Sequence, residues 1–288
     1  MTGRETAAPL TDEGYARTFA RLKANTTEYE NMVSISRKLI LENNFDKEPV
    51  QMLSIGAGTG QFETRLVREQ GLKLGYIYAI EPNTVHVPLL ETELKSLGAQ
   101  YDIDTSLFNK EFEFDEKYGS PLFDFIMLSH CLYGFEDPFG AVSHAIKFLK
   151  PRGKILIFNV GESACSEMYA YMITRSDPNI FSNSLTHENH ALTAPKIASF
   201  IQVKHPELIV SVMDYISYIG IDKFVRDEDG SGNDEVVSFF LQAEYQDLSE
   251  EARKHVKEIV IKNCDLVDDK YILRHACAGI VVLLYHEE

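Results

Sequence analysis

Apolar and polar positions along this chain fall into blocks, and the period within the blocks changes several times. Asp12-Glu-Gly-Tyr15-Ala-Arg-Thr-Phe19-Ala-Arg-Leu-Lys carries its aromatic and apolar residues at helical spacing. Thr27-Glu28-Tyr29-Glu30 then fits the S/T-x-x-E capping box and predicts a second helix running to about Glu42. After residue 49 the pattern shortens. Val50-Gln-Met-Leu-Ser-Ile55 is an apolar run too short for a helix, and an amphipathic segment follows it. Gly75-Tyr-Ile-Tyr-Ala-Ile80, Tyr101-Asp-Ile-Asp104, Leu122-Phe-Asp-Phe-Ile-Met-Leu128 and Gly153-Lys-Ile-Leu-Ile-Phe-Asn-Val160 repeat the theme. Strands that read as continuous apolar runs predict a parallel sheet covered on both faces. Two later runs, from about Leu208 and from Ala276, predict an antiparallel edge and bring the count to seven strands. The expected class is therefore α/β, doubly wound. A helical cap is expected over residues 1–48, a core over 49–160, a helical and loop insertion over 161–206, and the C-terminal part of the sheet over 207–288.

The junction after the first of these strands carries the clearest chemistry. Gly56, Gly58 and Gly60 alternate between strand and helix, where positive φ and a missing Cβ let a ligand touch the backbone. A dinucleotide-binding fingerprint is GxGxxG, but position 61 holds Gln61, so the spacing is GxGxG. That departure favours S-adenosylmethionine (SAM) over a nicotinamide. The second strand closes on Glu81-Pro-Asn, and a carboxylate there is placed to accept hydrogen bonds from both ribose hydroxyls of a nucleoside. A lone strand-end glutamate would read as solvated surface; its position directly after a glycine loop favours the ribose role.

Composition narrows the choice. The chain has 288 residues, 44% of them hydrophobic, enough for one sizeable core with an elaboration or for two modest domains. A net charge of −16 works against binding a phosphate backbone, so nucleic acid is not expected as a partner. No apolar stretch approaches the ~20 residues that span a bilayer, and the N-terminus lacks an apolar signal region. Cys131, Cys165, Cys264 and Cys277 form no CxxC pair, consistent with a reduced, cytoplasmic protein. His187-Glu-Asn-His190 departs from HExxH and reads as a polar loop; no metal is expected.

The order of glycine loop, Glu81, fourth strand and the Phe148-Leu-Lys-Pro-Arg-Gly153 turn resembles the class I SAM-dependent methyltransferases. That resemblance implies their Rossmann-like seven-stranded sheet, with SAM as cofactor and S-adenosylhomocysteine (SAH) as product. Further local matches are similar to the histamine N-methyltransferase family. They are the Tyr15–Phe19 helix, Asn25-Thr-Thr-Glu28-Tyr, Leu53-Ser-Ile-Gly-Ala-Gly58, Glu81-Pro-Asn, Asp124-Phe-Ile, Leu132-Tyr133, and Asp227-Glu-Asp-Gly-Ser-Gly-Asn ahead of Phe239-Phe240. By this resemblance Glu28 holds a substrate ammonium, while Tyr15, Phe19, Tyr133 and Phe240 contribute to the substrate pocket. Helical spacing alone makes Tyr15 and Phe19 core residues, and Glu28 alone is a first-turn acid favoured by the helix dipole. The family's glutamine after the fourth strand is His130 here, its second tyrosine is Gly134, and His275 falls at or beside a family asparagine. On the cofactor side the resemblance implies Gly56, Ala57, Gly58, Gly60, Glu81, Pro82, His86, Thr105, Ser106 and Ser129.

The function this implies is N-methylation of a small amine or imidazole-containing substrate by a monomer, with His130 and Glu28 as the catalytic candidates. The same fold acting on an amino acid or zwitterion, whose carboxylate two histidines could hold, stays open. So does a SAM-binding protein that catalyses nothing.

Overall fold

The computed structural model describes residues 7–161, 167–168, 192–227 and 231–284. The apolar runs become one eight-stranded sheet. Its strands are β1 (Val50–Ile55), β2 (Leu74–Ile80), β3 (Gln100–Asp104), β4 (Phe123–Ser129), β5 (Leu149–Val160), β6 (Leu208–Gly220), β7 (Cys264–Val267) and β8 (Lys270–Leu284). The order is β3-β2-β1-β4-β5-β8-β6, with β7 on β8. β1 pairs in parallel with both β2 and β4, and the strand order reverses between β1 and β4. That reversal opens a crevice beyond the carboxyl ends of β1 and β4, where α/β sheets bind ligands.

Burial explains the runs. Met52, Leu53, Phe125, Ile126, Met127 and Leu128 are inaccessible to solvent, since β1 and β4 have strand neighbours on both edges and cover on both faces. The connecting helices are α3 (Gln61–Gln70), α4 (Val87–Lys95) and α5 (Pro138–Ile146). Each turns a narrower apolar stripe inward, for example Phe62 and Leu66 on α3 and Leu90 and Leu94 on α4.

Two boundaries differ from the pattern. The eighth strand, β7, escaped the period-two test because only four residues form it and three of them are exposed. It joins β8 through Asp268 and Asp269, at φ 48° and 58°. Two successive positive φ values make the tight hairpin turn that Asn-Gly usually signals, so Asp-Asp concealed it. β5 begins at Leu149 and runs through Pro151 and Gly153, with Arg152 at φ 67° and a register shift against β4. The expected capping box at Thr27 is also replaced. α2 (Glu28–Glu42) starts where predicted, but Thr26 Oγ1 accepts the Glu28 N–H. Thr27 Oγ1 instead accepts the Tyr218 N–H of β6.

The described chain groups into two compact units built from non-consecutive segments. The sheet unit comprises Glu30–Asn159, Thr193–Asp214 and Ala278–Glu288, and includes α6 (Ala194–Lys204). The mixed unit comprises Met1–Tyr29, Val160–Leu192 and Tyr215–Cys277. It holds α1 (Asp12–Asn25), α7 (Asp222–Arg226), α8 (Asp234–Leu241) and α9 (Glu250–Lys262). Thr11 caps α1 by accepting the Gly14 N–H at 3.1 Å, and α1 packs on α8. Phe224, Val236, Val256 and Val260 close the core of this unit without exposure. Among the described residues no helix is long and apolar enough to cross a membrane.

Inside the sheet unit, Ser54, the last residue but one of β1, donates to Glu63 Oε1 on α3 at 2.6 Å, with both residues buried. This bond ties strand to helix across the glycine loop. Ser54→Ala should leave a buried carboxylate short of a donor and destabilise the protein by about 1–3 kcal/mol. Urea unfolding of the two proteins measures it, and an unchanged midpoint would show the bond to be dispensable.

Candidate active site

All three loop glycines adopt positive φ, 68° at Gly56, 56° at Gly58 and 74° at Gly60. Their surroundings differ. A Cβ on Gly56 would stand 2.5 Å from the Cys131 Cβ, and one on Gly60 would stand 2.8 Å from Leu90 Cδ1. Packing requires glycine at Gly56, while at Gly60 the Leu90 side-chain tip could move and the positive φ is the stricter demand. A Cβ on Gly58 would meet nothing within 4 Å, so Gly58 is the open face of the loop, where a ligand can approach backbone.

Glu81, at the end of β2 and only 6% exposed, is bound into this loop. Its Oε2 accepts the Gly58 N–H at 2.7 Å, and its Oε1 accepts the Asn83 N–H at 2.8 Å. His86 Nδ1 stands 3.7 Å from Oε1 and is buried beside it. Carboxylate oxygens have about four acceptor positions between them, so two amide bonds leave capacity for hydroxyl donors. Ala57 is buried, whereas Pro82, Thr105 and Ser106 are exposed around this end of the sheet unit. The Ser106 N–H donates to Asp104 at 2.8 Å and the Tyr78 hydroxyl donates to the same carboxylate at 2.7 Å. Burial pushes the Asp104 carboxyl up, but these hydrogen bonds outweigh it and hold it below its ordinary value.

The end of β4 carries Ser129, partly exposed, and then His130 at φ 48°. Left-handed backbone at a histidine costs free energy and clusters at functional sites. It is held there by the His130 N–H, which donates to Phe158 O at 2.9 Å. The turn seats Cys131 against the loop, its Sγ donating to Ile55 O at 3.2 Å. Burial and the Glu81 charge push that thiol well above its ordinary value, which favours its neutral, hydrogen-bonding form. Tyr133 follows in a one-turn 3-10 helix spanning Leu132–Gly134.

The remaining sequence candidates come together in the mixed unit. Tyr15, Phe19 and Phe239 form a mutually packed trio with centroids 5.4–6.0 Å apart. Phe239 packs on Phe240, and Phe240 stacks on the imidazole of His275 at 5.6 Å. His275 Nε2 lies 3.7 Å from Glu28 Oε1, and Cys277 Sγ donates to the same oxygen at 3.0 Å. Glu28 is 8% exposed, so it is no solvated helix-end acid. Burial, reinforced by the charges of Glu28 and Cys277, pushes the nearby Tyr215 phenol well above its ordinary value.

Five residues of these clusters were not singled out by sequence: Glu63, Asp104, Cys131, Tyr215 and Cys277. Asp104 had a signal, an acid closing the third strand as Glu81 closes the second. Cys277 lies two residues from His275 on one strand face, but nothing in sequence brings Glu28 to it. His187 and His190 lie outside the described residues.

A family model described as a methyltransferase domain matches residues 27–200. The chain belongs to this methyltransferase family. No curated protein matches it by sequence. Among solved structures, a putative methyltransferase from Bacillus halodurans is 12% identical at a TM-score of 0.54, covering 82% of this chain and 93% of that one. The YcgJ protein from Bacillus subtilis, also 12% identical, gives 0.53 over 88% and 100%. The plantazolicin methyltransferase BamL, solved with a desmethyl-plantazolicin analogue and SAH, is 15% identical and gives 0.50 over 94% and 96%. Identities this low show the shared fold alone. This methyltransferase has the class I fold, and its cofactor is SAM. The residues fit that group: Gly58 offers open backbone, and Glu81 keeps acceptor positions beside it.

Two expectations follow for the cofactor. Glu81→Ala should lower SAH affinity roughly tenfold to several thousandfold, since charge-assisted bonds to the ribose contribute ~1.5–3 kcal/mol each. Gly58→Val should abolish measurable SAH binding, both by filling the open face and by straining a loop held at φ 56°. Calorimetry decides both; affinities within about twofold of the parent would place the cofactor elsewhere.

Proposed function

We propose that this methyltransferase transfers a methyl group to a nitrogen of a small amine or imidazole-containing substrate, similar to histamine. The observation that carries the proposal is the Glu28 carboxylate, buried next to His275 and the aromatic series Phe240, Phe239, Phe19 and Tyr15. A buried carboxylate beside aromatic faces is the complement of an organic cation, which gains from both charge pairing and cation–π contact.

The bound cofactor supplies a methyl group on a sulfonium, already a strong electrophile, so the protein's task is positioning. The accepting nitrogen attacks with its lone pair and must be unprotonated at that moment. An imidazole ring nitrogen meets this near neutral pH, while its side-chain ammonium stays charged and available to Glu28. Tyr133 and the aromatic residues would hold the ring. His130 would accept the substrate's ring N–H or take up the proton released after transfer, and its enforced left-handed backbone fits a residue kept in place for such a role. On the cofactor side Ala57, Pro82, His86, Thr105, Ser106 and Ser129 would complete the set led by Gly58 and Glu81. A zwitterionic substrate is the second possibility, favoured by His130 at one amide position, and His275 at or beside another, of the family that the sequence resembles.

A methyl-transfer assay over imidazoles, biogenic amines and amino acids, with mass analysis of products, tests the substrate class. For a cationic substrate Glu28→Gln should raise KM by at least about tenfold, the loss of one charge-assisted contact, with little change in SAH affinity. A variant with parental KM would leave Glu28 as a structural residue only.

A further inference from the structure

Glu28, His275 and Cys277 present three different donor atoms from three buried side chains, and these atoms all lie within 4.8 Å of one another. It is the single such group among the described residues. We propose that it is a binding site for a soft divalent transition metal, with zinc as the type.

The frame is rigid. Glu28 opens α2, and His275 and Cys277 stand two apart on β8, so both side chains leave the same face of the strand. Phe240 stacks on the imidazole at an interplanar angle of 29° and fixes its plane. Glu28 Oε1 is 3.0 Å from Cys277 Sγ and 3.7 Å from His275 Nε2. Tetrahedral zinc with one sulfur and two lighter donors sets them about 3.3–3.6 Å apart. These two separations bracket that range, the third pair lies within 4.8 Å, and side-chain shifts of about an ångström complete the set.

Donor chemistry selects the ion. Magnesium and calcium take oxygen donors, whereas a thiolate, imidazole and carboxylate together suit zinc or its neighbours. Charge favours the same ion. As the sulfur–metal bond forms, the Cys277 thiol proton leaves to solvent. Thiolate and carboxylate then cancel the dication's two charges, so the metal and its two anionic ligands form a neutral cluster. A protein of net charge −16 also concentrates cations near its surface. Three protein ligands leave a fourth position open, as in zinc sites that exchange water for another ligand.

One consequence rests on the proposed function. If Glu28 receives the substrate ammonium, metal and amine exclude each other there, and zinc is a competitive inhibitor.

Cobalt(II), which absorbs where zinc is silent, is the probe, added to reduced, metal-free protein. The parent should develop a thiolate-to-cobalt charge-transfer band that saturates at one cobalt per chain and is displaced by zinc. Cys277→Ser should abolish the band while Cys131 and Cys264 remain, with melting temperature and SAH affinity reporting an intact fold. Glu28→Gln should weaken cobalt binding at least about tenfold, and decides the matter if Cys277→Ser does not fold. A parent without the band, a band that survives Cys277→Ser, or parental affinity in Glu28→Gln overturns the site. Failure there leaves methyl transfer untouched. Zinc binding without competition against the amine keeps the metal site and removes Glu28 from substrate recognition.

Discussion

Both oxygens of Glu81 are committed to backbone amides, Gly58 on one side and Asn83 on the other. The loops after β1 and after β2 are thereby held by one carboxylate at the ends of two parallel strands. The Gly58 amide is part-buried in a left-handed turn, and Glu81 is the acceptor that fixes its direction. The glycine loop keeps its shape because Glu81 closes it from one side and Cys131 fills the space against Gly56 from the other. Residues set far apart in the chain thus fix one short turn. The same carboxylate that would read a ribose also organises the backbone around it.

The mixed unit poses the opposite problem. Its core is made of phenylalanines and aliphatic residues, yet it keeps the carboxylate of Glu28 among them. An ionised carboxylate out of water is costly unless it is hydrogen-bonded and balanced by positive charge. The Cys277 thiol supplies a hydrogen bond and His275 stands close by. In the readings proposed above, this arrangement receives a cation. Whether organic ammonium or metal, the ion and the aromatic surroundings do different work: charge for affinity, ring faces for shape.

The architecture was legible because its signals are local. Continuous apolar runs at β1, β2 and β4 require burial on both faces, and the glycine spacing marks the strand-to-helix turn without reference to anything distant. Glu81 was legible for the same reason, lying at the end of a strand whose place in the order was known. The short β7 was not, since four residues with exposed side chains give no period, and Asp268-Asp269 is an uncommon way to make its turn. The strain at His130 is invisible in any sequence. Cys277 and Tyr215 were missed because their meaning depends on Glu28, which reaches Cys277 only through the closure of the mixed unit.

That closure has a bearing on how the chain is made. Residues 7–29 find their partners in 215–277, so α1 emerges from the ribosome long before α8 exists to cover it. Most of the sheet unit, by contrast, is one continuous stretch, Glu30–Asn159, able to condense during synthesis. Vectorial synthesis therefore favours an order in which strands β1 to β5 pair early, while β6, β8 and the mixed unit join late, by a long-range search with the loop-closure entropy that such contacts carry. Throughout that interval the apolar stripe of α1, Leu22 included, stays exposed, and a nascent chain stalled before α8 offers it to chaperones or to a second copy of itself.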